Sequence, residues 1–95
     1  MMSLPMKLHE WVNVNKLDWP LLSRNPNAIE LLKENQDKIN WIYLSQNPKA
    51  IEILEENLEK INWMWFSSNK NAIKLLKENP DKINWKYLSQ NSEAI

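Results

Sequence analysis

The chain has 95 residues, no net charge, no cysteine and no glycine. This length allows one domain at most, and the absence of cysteine excludes disulfides and thiolate metal sites. The balanced charge argues against a broad nucleic-acid footprint, which needs a basic excess.

Residues 1–16 lack the pattern that fills the rest of the chain. The stretch from Met1 to Leu8 has no apolar run long enough for a signal peptide or a membrane span. Leu8, Trp11, Val12 and Val14 are apolar enough to cover the neighbouring segment of chain, so 1–16 is predicted to be an N-terminal cap. His9 is the only histidine. A metal site needs several converging ligands, so His9 is expected to be a surface residue of the cap.

From residue 17 the chain repeats. Leu17-Asp18-Trp19 is followed by Ile39-Asn40-Trp41, Ile61-Asn62-Trp63 and Ile83-Asn84-Trp85, each 22 positions after the last. The units are 17–38, 39–60, 61–82 and a partial 83–95. A fixed period of this size marks stacked supersecondary units, here an all-α solenoid of two-helix units. The array stops at Ile95, inside the expected second helix of the fourth unit. The chain is therefore read as part of a longer array, or as one whose open end another molecule covers.

Within a unit, Asn40 predicts the N-cap of a first helix near Trp41–Gln46, with Asp18, Asn62 and Asn84 in the same role. Pro48 disfavours helical geometry at Asn47, which ends that helix. Asn47 then caps a second helix that starts at Pro48, as Asn25 and Pro26 do one unit earlier. Ala50, Ile51 and Leu54 form its apolar stripe, repeated as Ala28/Ile29/Leu32 and Ala72/Ile73/Leu76. Asn35, Asn57 and Asn79 are expected to end these helices at positive φ, the task glycine performs elsewhere. Helices of about six and ten residues cannot stand alone, so the units must hold one another. The indoles of Trp19, Trp41, Trp63 and Trp85 are expected to face inward and join the stripes in one core. Six tryptophans suit a small core, since each aromatic buries roughly 150–250 Å².

The residues that could carry chemistry read as structural. Four serines, Ser23, Ser45, Ser67 and Ser89, face a single histidine, so no nucleophile has its base, and local hydrogen bonds at the first helix end are expected. Asn25, Asn47, Asn69 and Asn91 suit either unit-by-unit capping, the favoured role, or a ladder along the array. Glu52, Glu55, Glu56 and Glu59 read as a solvated helix face. The candidate partner-binding residues occupy the fifth position of the unit: Tyr43, Trp65 and Tyr87, after Leu21. On a helical wheel this position lies about 130° from the Trp/Leu stripe. It predicts an aromatic row, flanked by Arg24, Gln46, Ser68 and Gln90, of the kind enriched at protein interfaces. Packing of the row between adjacent units is the plainer reading.

The string Leu22-Ser23-x-Asn25-Pro26-Asn27-Ala28-Ile29-x-Leu31-Leu32-x-x-Asn35, followed by Asp37-Lys38-Ile39-Asn40-Trp41, resembles the short Asn/Trp repeat proteins encoded in large numbers by giant double-stranded DNA viruses. The segment Leu8-His9-Glu10-Trp11 resembles their usual start. Lys70, where a proline usually stands, and Trp65-Phe66, in place of Tyr-Leu, depart from the pattern. The resemblance implies a viral repeat protein in the host cytoplasm or the virion. It brings no catalytic residues, because members of that kind are mostly uncharacterised.

The expected function is a non-enzymatic module for protein–protein interaction or scaffolding, with no cofactor, no metal, no nucleic acid and no membrane. The alternative is a structural or virion component that stacks end to end through the C-terminus. An enzyme is the weakest reading, because no acid, base and nucleophile converge.

Overall fold

The computed structural model describes residues 13–94. The expected cap residues Leu8, His9, Trp11 and Val12 therefore lie outside the described residues, as does Ile95. Among the described residues seven α-helices run in chain order: α1 Trp19–Arg24, α2 Ile29–Glu34, α3 Trp41–Leu44, α4 Ile51–Glu55, α5 Trp63–Phe66, α6 Ile73–Glu78 and α7 Trp85–Leu88. The structure is all-helical, with no strand among the described residues.

Each odd-numbered helix starts as the sequence dictates. Asp18, Asn40, Asn62 and Asn84 each turn a side-chain oxygen onto the backbone N–H three residues on, at 3.0–3.1 Å. That contact satisfies one of the donors left orphaned at a helix start. The helices are shorter than expected. α3, α5 and α7 run for a single turn of four residues.

The second helices also start later than Pro26 and Pro48. They begin at Ile29, Ile51 and Ile73, each behind an alanine that offers no side-chain cap. Pro26 opens a 3₁₀ turn, Pro26–Ala28, and Pro48 sits in a simple turn. The third unit makes the same turn with Lys70, since the N–H of Ala72 donates to Asn69 O just as that of Ala50 donates to Asn47 O. The proline stiffens this turn without being required for it.

A third helical piece closes each unit, a 3₁₀ helix over Gln36–Lys38, Leu58–Lys60 and Pro80–Lys82. It replaces the expected left-handed cap. No described residue has positive φ. Asn35, Asn57 and Asn79 instead lie near φ −137° and ψ 52–59°. Each amide side chain reaches back to the carbonyl four residues earlier, at 2.8–3.0 Å. The orphan carbonyl of the helix end is thus satisfied by a side chain, and no residue needs glycine's conformational freedom.

The core is one cluster spanning the first three units: Trp19, Leu31, Leu32, Leu44, Ile53, Leu54, Phe66, Leu75 and Leu76, with Ala28, Ala50 and Ala72 between them. The indoles are not its centre. Trp19 is buried, Trp41 and Trp63 are half-buried at its border, and Trp85 is 69% exposed. A bicyclic ring at the edge of a four-residue helix is too large to be enclosed from all sides, so it covers the core while smaller branched side chains fill it. Leu44 and Phe66, at the last turn of the first helices, occupy the depth expected for tryptophan. In the second helices, Leu31, Ile53 and Leu75 are buried while Ile29, Ile51 and Ile73 are half-buried, which shifts the apolar face toward the later residues.

This ordering predicts opposite outcomes for two truncations. Leu54→Ala, at a fully enclosed site, is expected to cost about 2–5 kcal/mol in urea titration. Trp85→Ala is expected to stay within about 0.5 kcal/mol of the wild type, as exposed substitutions do. The reverse order would restore the indoles to the centre of the core.

Candidate interaction surface

The odd-numbered helices also position the candidate partner-binding residues. Tyr43, Trp65 and Tyr87 occupy the third position of α3, α5 and α7, where the N-cap asparagine holds their backbone N–H. All three side chains are half-buried. The Arg24 guanidinium at the end of α1 lies 5.1 Å from the centre of the Tyr43 ring, within the range of a cation–π contact. Trp65 and Tyr87 meet edge to face at 5.2 Å. Two members of the row therefore pack across a unit boundary, and all three rings stay partly in solvent. Gln46 is half-buried, with its amide directed at Ile42 O at 3.5 Å. Gln90 is exposed. Trp41, outside the row, lies under the Lys60 ammonium at 5.1 Å.

Three exposed apolar side chains lie in the row or directly before its positions in the sequence. Leu21 is 57% exposed, Ile42 49% and Met64 38%. Ile42 and Met64 share the fourth position of successive units, directly before Tyr43 and Trp65. The unit pattern treats this position as variable, because Pro20 and Lys86 also occupy it. Two large apolar residues at one register position were the available signal.

Beneath this surface, two polar connections tie the units together. Asn47 is buried, and its side chain satisfies three groups. Its Nδ2 donates to Ser23 O at 3.0 Å and Asn25 O at 3.1 Å in the preceding unit, while its Oδ1 accepts from the Lys49 N–H at 3.0 Å. Asn69 repeats this with Ser45 O, Asn47 O and the Asn71 N–H. Asn91 does so with Ser67 O, Asn69 O and the Glu93 N–H. Capping and ladder are thus two ends of one side chain. The serines bridge as well. Ser45 Oγ donates to Trp41 O at 2.7 Å and accepts from the Asn62 N–H at 2.9 Å, and Ser67 stands in the same relation to Trp63 and Asn84. The expected local bond exists, and the same hydroxyl also holds the start of the next first helix.

Charge is uneven along the chain. The second unit has Glu52, Glu55, Glu56 and Glu59 against Lys49 and Lys60, and the third has Lys70, Lys74, Lys77 and Lys82 against Glu78 and Asp81. Among the described residues no group of three or more His, Cys, Asp or Glu could hold a metal ion. No described helix is long and apolar enough to cross a membrane.

One ion pair crosses between second helices, from Lys33 Nζ to Glu52 Oε1 at 2.7 Å. The hydrogen bond from Lys33, reinforced by its charge, holds the Glu52 carboxyl below its ordinary value. The reciprocal bond and charge of Glu52 raise Lys33. A lowered carboxylate stabilises the fold fully above its unfolded pKa of about 4.3 and loses that contribution as pH falls through the folded value. A raised lysine contributes below about 10.4 and loses its share as pH rises through its folded value. Both side chains are exposed, so solvent and salt weaken the pair. Glu52→Gln is expected to melt slightly below the wild type at neutral pH and low salt, with the gap closing in acid and in high salt. A gap unchanged in acid would tie the effect of Glu52 to something other than its charge.

Comparison with family models, with curated proteins and with solved structures returns no match.

Proposed function

We propose that the 22-residue units form a short α-solenoid that serves as a non-enzymatic module for binding another protein. One observation carries this reading: Leu21, Ile42 and Met64 stay exposed beside the half-buried Tyr43, Trp65 and Tyr87 on successive first helices. Ile42 and Met64 repeat at one register position, and grouped exposed apolar side chains mark contact surfaces. Rigid aromatics held by neighbouring units lose little entropy on binding, which suits them as anchors. Arg24, Gln46 and Gln90 would supply the polar rim. The resemblance to giant-virus repeat proteins favours a partner from the virus or its host.

A second reading, a structural component that stacks end to end, is favoured by the identical junction that Asn47, Asn69 and Asn91 each make with the unit before.

Affinity capture with the wild type and with the double variant Ile42→Glu/Met64→Glu tests the first reading. Both positions are exposed, so the variant should melt like the wild type. A protein retained by the wild type and lost by the variant is the expected result. Equal retention by both would remove these helices as the binding face.

A further inference from the structure

We infer that α3 is the docking point for a partner segment in which a large apolar side chain stands between two carboxylates. This rests on the protein-binding role proposed above and adds the chemistry of the partner. Ile42 is 49% exposed. By the helical pitch, Trp41 and Tyr43 leave the helix about 100° to either side of it. Each of those two rings carries a cation. Lys60 Nζ lies 5.1 Å from the centre of the Trp41 ring, and the Arg24 guanidinium lies 5.1 Å from that of Tyr43. Both cations are exposed. An exposed apolar side chain is thus bracketed by two positive charges, and all the contacts are made within the first two units.

Neither charge is answered within the described chain. The ion pairs among the described residues join Lys33 to Glu30 and Glu52, and Lys38 to Asp37. No described carboxylate pairs with Arg24 or Lys60, although Glu59 stands next to Lys60 in the sequence. A cation seated over a ring keeps its N–H donors for a carboxylate, and a side chain already held in place loses less entropy on binding. The other first helices lack this arrangement. Pro20 and Lys86 hold the place of Ile42 in the first and fourth units, and Gln46 holds the place of Arg24 beside Met64. Charge complementarity at α3 therefore selects an acidic, apolar segment, repels a basic one and fixes where along the units it sits. Two cations are too few to hold an anionic membrane, where each is worth about 1 kcal/mol. A protein segment is the occupant that fits.

A random peptide display library, panned on the full chain and counter-selected on the Ile42→Glu/Met64→Glu variant, tests this. The enriched peptides are expected to carry Asp or Glu on both sides of a large apolar residue. The leading peptide is then made in two forms, acidic and with its carboxylates changed to amides. Arg24→Gln and Lys60→Gln are exposed substitutions and should melt like the wild type. Each should bind the acidic form about threefold more weakly, the worth of an exposed ion pair, and bind the amide form as the wild type does. Equal losses for the two forms would show that the cations act only by holding the rings, and would overturn the inference. So would enriched peptides without acidic residues, which would leave the protein-binding reading standing. Phosphatidylserine vesicles that bind the wild type and not Arg24→Gln would replace the protein segment with a membrane. A library that yields no peptide preferring the wild type would overturn both the inference and the reading beneath it.

Discussion

Asn47, Asn69 and Asn91 each place one carboxamide between two units, and the rest of the architecture depends on that placement. A first helix of one turn leaves its last carbonyls without intrahelical partners. One of them per junction, such as Ser45 O, faces the next unit and accepts from Asn69 Nδ2, which also bonds Asn47 O beside the Ala50 N–H. Left alone in a buried site, the serine carbonyl would cost about 1–3 kcal/mol. The same carboxamide accepts from the N–H two residues on and shapes the turn into the second helix. Only asparagine has two donors and an acceptor at this reach. Aspartate lacks the donors, serine has one, and glutamine is a methylene longer.

Burial of Leu44, Leu54, Phe66 and Leu76 supplies the main driving force, but that force has no direction. Near-identical units could slide or rotate against one another and still bury leucine. The carboxamide and the serine hydroxyl remove that freedom, since each joint is complete only at one offset. The bonds Asn69 Nδ2 to Asn47 O and Asn62 N–H to Ser45 Oγ span 22 and 17 residues. Buried polar groups that are fully satisfied specify one arrangement. The absence of glycine fits the same economy. Side-chain amides finish the helices at Asn35, Asn57 and Asn79, so the backbone stays in its common regions.

The period, the all-helical class and the N-caps at Asp18, Asn40, Asn62 and Asn84 were legible, because each is a local rule written in adjacent residues. Three features were not. The closing 3₁₀ helix, such as Gln36–Lys38, carries no apolar period of its own to announce it. The depth of each tryptophan depends on how many neighbours surround a very short helix, which a stripe of residues cannot state; Trp41 and Phe66 are equally apolar on paper. The double role of Asn47 was divided into two competing readings because a sequence shows an Oδ1 beside a turn but not the carbonyls of another unit beside its Nδ2. Of the candidate surface, the aromatic row was visible at the fifth position. Ile42 and Met64 were passed over because Pro20 and Lys86 made their position look unconstrained.

The most direct measurement compares Asn69→Asp with Asn25→Asp in urea at neutral pH and low protein concentration. Aspartate caps a turn as well as asparagine does but cannot donate to carbonyls. If the carboxamide joins the units, Asn69→Asp loses several kcal/mol, about 2–5 by the cost of unsatisfied buried groups and a buried charge, while Asn25→Asp changes little. Equal and small losses at the two positions would reduce these asparagines to caps and leave the register of the units without a cause.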